Sequence, residues 1–285
     1  MDVPVGEAGA GPYALAAGPD GALWVTLVHS GEIACVTVDG ATTVHSLTAP
    51  GCKPSQITAA QDGALWFTRA GDDRLGRITT AGEATSFALP EGSAPFGIAA
   101  GPDGALWFTA MGTHRIGRMT LDGDLTDYAL PAGSLPSMIT AGPDGALWFT
   151  LNQAHAIGRI EVGGALTVRP LPTPRAGPVG IAATHDALWF TEILAGQIGR
   201  IADEAPIQEL ALPDREARPH AVIAAQADGV WVSLWGSGAI AHVSDDGEIA
   251  ELPLSEASEP HGLAIGSDGA LWVALESGFV TRISA

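Results

Sequence analysis

The chain has 285 residues, 32 of them acidic and 13 basic, for a formal net charge of −19, so a phosphate-rich partner such as nucleic acid would meet net repulsion. Mean hydropathy is +0.22, yet no run approaches the roughly 18–20 consecutive apolar residues of a membrane-spanning helix, and no basic, apolar leader opens the chain. With 37 Gly and 20 Pro, long helices are disfavoured too.

In chain order, the first extended piece is Met1 to Val5 (MDVPV). From Tyr13 onward a unit begins that is copied seven times: Trp24, Trp66, Trp107, Trp148, Trp189, Trp231 and Trp272 recur at intervals of 42, 41, 41, 41, 42 and 41 residues. The unit from Pro95 to Pro131 holds four short runs, FGIAAG, ALWFT, RIGRM and LTDYAL, separated by GPDG, a small-residue loop and LDG. Each run is strand-sized, and the Asp-Gly pairs read as hairpin turns whose positive φ values both residues tolerate. Four antiparallel strands at a period near 41 predict an all-β fold, a seven-bladed β-propeller forming a single domain over residues 1–285. The repeat tryptophans should pack between adjacent blades.

The last unit stops after its third strand, GFVTRISA at Ala285. Met1 to Val5 is therefore expected to supply the missing outer strand of blade seven and to close the ring against residues 278–285, hiding two sheet edges. A closed ring has no spare edge, which predicts a monomer. Cys35 occupies a repeat position held by arginine in most other blades, and Cys52 lies in a loop before Lys53, the sole lysine. Both read as free thiols in a reducing, cytoplasmic compartment.

Function is expected where the repeats disagree. In a four-stranded blade, the loop into the inner strand and the loop after the second strand emerge on one face and line the mouth of the central channel. The residue after the proline of the first loop is Tyr13, Ser55, Phe96, Ser137, Val179, His220 and His261 around the ring, and the residue before it is Gly11, Lys53, Ala94, Leu135, Gly177, Arg218 and Glu259. Four residues beyond each tryptophan stand Val28, Ala70, Met111, Asn152, Ile193, Trp235 and Glu276. Four titratable groups, Glu259, His261, Glu276 and His220, thus fall on one sector. Two carboxylates with water suit a hard cation such as Mg2+. A neutral imidazole suits proton abstraction near pH 7, and a cation that stabilises the resulting enolate makes a carbon-bound proton accessible to it. His29, His45, His114, His155, His185 and His242 are scattered over other repeat positions and read as solvated or locally satisfied. Arg69 and Glu192 are expected to face the same mouth, against ligand or solvent. No G-x-S-x-G, P-loop or Cys-x-x-Cys supports a serine hydrolase or nucleotide enzyme.

The repeat GPDGALWFT…IGRI, with GPYAL, SAPFGI, ARPHAV, SEPHGL and ALESG in their blades, resembles the virginiamycin B lyase family over essentially the full chain. The resemblance implies Mg2+-dependent linearisation of a small cyclic depsipeptide, a type B streptogramin antibiotic, by elimination at its ester linkage rather than by hydrolysis, and so antibiotic resistance. Carried onto this chain, it implies that His261 is the base, that Glu259 and Glu276 hold the metal, and that His220 contacts the ester region. Tyr13 and Phe96 would wall the macrocycle. Blade six departs from the pattern, with Leu234 and His242 in place of the Glu and Arg of a WFTE…IGRI repeat. Two other readings remain open: a non-catalytic propeller that binds a peptide or protein, and a metal-dependent lactonase of the gluconolactonase type, for which only Asn152 stands ready to join the two glutamates.

Overall fold

The computed structural model describes residues 1–202, 205–255 and 258–284. Among these, 28 strands form seven four-stranded antiparallel sheets, the all-β seven-bladed propeller expected from the tryptophan period. Blade three is representative, with Pro95–Ala100 as inner strand, then Leu106–Ala110, Arg115–Met119 and Leu125–Ala129 outward. Blade seven combines Pro260–Ile265, Leu271–Leu275 and Phe279–Ile283 with Asp2–Pro4 from the opposite end of the chain. The closing strand pairs Asp2 with Thr281, Val3 with Val280 and Pro4 with Phe279. Val3 and Val5 are buried in that seam.

The repeat tryptophans lie between blades. Trp24 packs with Ile57, Leu65 and Phe67 of blade two, and Trp272 packs with Leu23, Val25 and Leu27 of blade one. The facing strands are matched by volume. In blade three Phe108 stands opposite Gly117, where an added Cβ would come within 2.1 Å of the ring. Where the phenylalanine is replaced by valine the opposite residue grows, as in Val25 with Ala34, Val232 with Ala241 and Val273 with Thr281. Total core volume is thereby conserved along the repeat.

The GPDG segments do more than turn. The second glycine of each takes the positive φ, as Gly104 does at 77°, while the aspartates do not. Asp103 instead accepts from Trp107 Nε1 at 3.0 Å and from Arg118 Nε at 2.6 Å, and Asp62 and Asp144 repeat that arrangement. Each satisfies an indole N–H that would otherwise be left without a partner. Cys35 and Cys52 are free, and burial pushes both thiols up, Cys35 to about 11 with Asp20 adding to the shift. No helix among the described residues is long and apolar enough to cross a membrane.

Candidate functional site

The loop into each inner strand has a recurring shape. The residue before its proline takes a left-handed conformation in all seven blades, with φ of 44° at Glu259, 50° at Arg218 and 70° at Gly11. A non-glycine residue there costs about 1 kcal/mol or more. Immediately after the proline the ladder slips by one residue, from Pro260↔Leu275 to Leu263↔Val273 in blade seven and from Pro219↔Leu234 to Val222↔Val232 in blade six. This bulge turns the intervening side chains, His261 and His220 among them, away from the regular pleat. The residue after the proline is also gripped from the preceding blade. Thr191 Oγ1 donates to the His220 carbonyl at 2.8 Å, and Ser233 Oγ donates to the His261 carbonyl at 2.7 Å. The threonine of the WFT motif thus positions the site residues of the next blade.

Five of the expected residues meet in one cluster. His261 Nε2 lies 2.7 Å from Glu276 Oε2, and the His261 ring sits 4.9 Å edge-on from that of His220 and 4.7 Å from that of Tyr13. Tyr13 Oη and His220 Nε2 are 3.4 Å apart, and Phe96 meets Tyr13 edge-on at 6.2 Å. Both histidines are nearly buried, with 8% of His220 and 7% of His261 exposed. Their Nδ1 atoms have no hydrogen-bond partner. His220 also lines a cavity of about 110 Å3 on the propeller axis, together with Ala14, Ile98, Ile139, Ile181 and Leu263.

The electrostatics follow from burial and from these partners. Burial, with His261 nearby, pushes the His220 imidazole down to about 3, so the ring is neutral. Burial also lowers His261, against the opposing pull of Glu276 and Glu259. Burial alone would raise the Glu276 carboxyl, but hydrogen bonds from His29 and His261 outweigh it and hold the group below the usual carboxylate range. The Tyr13 phenol is raised by burial and by the Glu276 charge, and so stays protonated.

The virginiamycin B lyase family model matches residues 1–283. The chain belongs to that family. A streptogramin B lyase structure superposes with a TM-score of 0.94 at 37% identity, covering 99% of this chain and 97% of that one. A catalytically inactive histidine-to-alanine variant of virginiamycin B lyase from Staphylococcus aureus, with quinupristin, gives 0.94 at 39% identity, covering 100% and 98%. The virginiamycin B lyase of Mycolicibacterium smegmatis is 74% identical over 35 residues, a stretch spanning 12% of each chain.

On this virginiamycin B lyase family scaffold, Glu259 is exposed at the rim, and its carbonyl accepts from Glu276 N at 3.2 Å. The two glutamates offer hard oxygen donors on one sector, a set that suits Mg2+ because that ion retains several waters and needs few protein ligands. Among the described residues no three His, Cys, Asp or Glu side chains gather into a cage. Asn152 Nδ2 is turned to the Pro178 carbonyl at 3.3 Å, so it does not extend the pair.

Two expectations are corrected. Arg69 is bound to Asp72 and 7% exposed, and Glu192 is 0% exposed. Neither faces the mouth, because the second strands run one residue further than ALWFT, to Arg69 and to Glu192, and carry these side chains between blades. The scattered histidines are mostly satisfied locally: His45 stacks on Trp24 at 5.5 Å, His114 Nδ1 accepts from Leu135 N at 3.3 Å and His242 Nε2 meets the Asp228 carbonyl at 2.7 Å. His29 is the exception, at 2.9 Å from Glu276 Oε1.

Proposed function

We propose that the protein linearises type B streptogramin cyclic depsipeptides by elimination at the ester linkage, and so confers resistance to them. The observation that carries this reading is the buried imidazole of His261, hydrogen-bonded to Glu276 at 2.7 Å, within a family whose relatives bear the name virginiamycin B lyase. A base must be neutral to accept a proton, and burial holds His261 in that form near pH 7.

In the step proposed, His261 takes the proton from the α-carbon of the threonyl unit. The C–H electron pair becomes a carbon–carbon double bond, the bond from the β-carbon to the ester oxygen breaks, and the acyl group leaves as a carboxylate. No water is consumed. Bound by Glu259 and Glu276, Mg2+ would polarise the adjacent carbonyl and make the α-proton more acidic. His220, neutral because it is buried, is suited to a hydrogen bond to the ester region without adding charge, and Tyr13 holds its Nε2 side. The Tyr13 and Phe96 rings present apolar wall to the macrocycle. A neighbouring cavity of about 550 Å3 among Arg218, Trp235, Ser258 and Glu259 supplies room beside the base. The closed ring supports a monomer, and two free cysteines support a reducing, cytoplasmic location.

The test is mass spectrometry of a type B streptogramin incubated with the protein and Mg2+, with and without EDTA. The expected product has the mass of the substrate, because elimination only rearranges bonds, and EDTA stops its formation. Gain of one water would identify a hydrolase such as a lactonase. Intact antibiotic with Mg2+ present would favour a binding propeller.

A further inference from the structure

We propose that His29 is a positioning residue for Glu276, fixing the carboxylate plane that faces both His261 and the metal. This rests on the reading above. The Glu276 carboxylate lies between two imidazoles: Oε2 is 2.7 Å from His261 Nε2, and Oε1 is 2.9 Å from His29 Nε2, a residue 247 positions away in sequence. One donor leaves a carboxylate free to turn about its terminal torsion, which is broad. A second donor on the other oxygen removes that freedom. Each oxygen keeps a further lone pair for a cation.

The local chain is built to bring His29 there. It follows the second strand of blade one, Leu23–Leu27, and its loop is pinned by three backbone bonds: Val28 N to the Gly11 carbonyl at 2.9 Å, His29 N to the Ala10 carbonyl at 3.0 Å and Ser30 N to the same oxygen at 3.3 Å. The imidazole lies directly over Gly11. A Cβ at that position would stand 2.3 Å from His29 Cδ2, so only glycine admits the ring. Five other blades carry Lys53, Ala94, Leu135, Arg218 and Glu259 at the equivalent place, where a side chain would obstruct such a reach. Ala10 and Gly11 end the stretch that begins as the outer strand of blade seven, tied by Val5 N to the Gly278 carbonyl at 3.1 Å. The segment that closes the ring therefore also seats the residue that orients Glu276.

Outer partners of ligating carboxylates change metal affinity or activity by about 10–100-fold when removed. The experiment uses full-length His29→Ala and His29→Gln, with Mg2+ affinity measured by calorimetry in the absence of substrate, kcat and KM for streptogramin linearisation, and Tm. His29→Ala should weaken Mg2+ binding about tenfold and lower kcat about tenfold, with a smaller change in KM and an unchanged Tm. His29→Gln, whose amide can donate in place of the imidazole, should recover most of the Mg2+ affinity. Wild-type Mg2+ affinity and kcat in His29→Ala would overturn the proposal while leaving the lyase reading intact. A fall in Tm shared by both variants, without rescue by glutamine, would reduce His29 to a structural role and overturn it as well. Absence of Mg2+ binding and turnover in the wild type would remove the lyase reading and this inference together.

Discussion

Glu192 and Glu276 occupy nearly the same place in their repeats, three residues beyond Trp189 and four beyond Trp272, and they meet opposite fates. Glu192 is the last residue of its strand and is carried between blades, whereas Glu276 stands one residue past the end of Leu271–Leu275, in the loop at the mouth. Glu192 is 0% exposed, and neither of its oxygens has a hydrogen-bond partner. Burial pushes its carboxyl up to about 8, with the Glu209 charge adding to the shift. Glu276 is partly buried as well, but two imidazoles donate to it and hold it ionised. What makes a working carboxylate on this scaffold is therefore the strand position and the donors around it, not the residue type.

The largest expected effect comes from replacing the carboxyl at each of these positions in turn. Glu276→Gln preserves size but takes from His261 its anionic partner and from the cation one of its two carboxylates. Turnover should fall by about 10²–10⁴-fold, and His261→Ala should do the same, since a positioned general base contributes on that scale. Glu192→Gln, which substitutes a neutral amide for a carboxyl already largely protonated, should leave kcat/KM within about twofold. Comparable losses in the two glutamine variants would mean that Glu192 also serves the reaction, and the contrast would fail.

A second contrast sets blade seven against blade three. Both have four strands, but in blade seven no hairpin joins the outer strand to its neighbour; it is held by the ladder from Asp2–Pro4 to Phe279–Ile283, by flanking hydrogen bonds such as Val5 N to the Gly278 carbonyl and Thr281 Oγ1 to Asp2, and by the buried side chains of Val3 and Val5. Deleting Met1 to Val5 removes two buried valines, each worth roughly 1.5–3 kcal/mol, and uncovers a sheet edge. Tm should drop by several degrees, since about 2–4 °C accompanies each kcal/mol in a domain of this size class. Unchanged thermal stability would show that the closure contributes nothing.

Much of this was legible from the repeat. The tryptophan period carried the propeller, and the truncated last unit pointed to Met1 to Val5 as the closing strand. Aligning the seven copies brought His220, His261 and Glu276 to one sector, because equivalent positions in successive blades are neighbours around the ring. Other features needed the ladder itself. The one-residue slip after each proline is invisible without the pairing, although the proline marks its place. The roles of Thr191 and Ser233 lie in the WFT motif at two residues past tryptophan, where a small hydroxyl recurs in six blades, yet nothing local says that its acceptor is the next blade's carbonyl. Glu192 and Arg69 depart from the expected placement because the strand ends one residue later than the apolar motif suggests. The repeat does not mark His29, because its neighbour Val28 is the residue aligned with Glu276 and its own contact spans the closure of the ring.

The smallest effect on turnover, and the sharpest check on the buried carboxyl, is the pH dependence of stability. The folded-state value of Glu192, about 8, lies above the ordinary 4.5 of an exposed glutamate. Between those limits the folded protein binds a proton that the unfolded chain releases, so stability from this group is fully present below about pH 4.5 and is lost as pH rises through about 8. The free amide of Glu192→Gln has no proton to release. The difference in stability between wild type and Glu192→Gln should therefore shift against the wild type by on the order of 1 kcal/mol per pH unit across that window and level off above it. Urea denaturation of both proteins at several pH values measures this directly, with turnover assayed in parallel as the control. A difference that does not change with pH would mean that Glu192 is already ionised between the blades, the opposing charge of nearby Arg215 outweighing burial, and its likeness to Glu276 would then be closer than the geometry of the two positions implies.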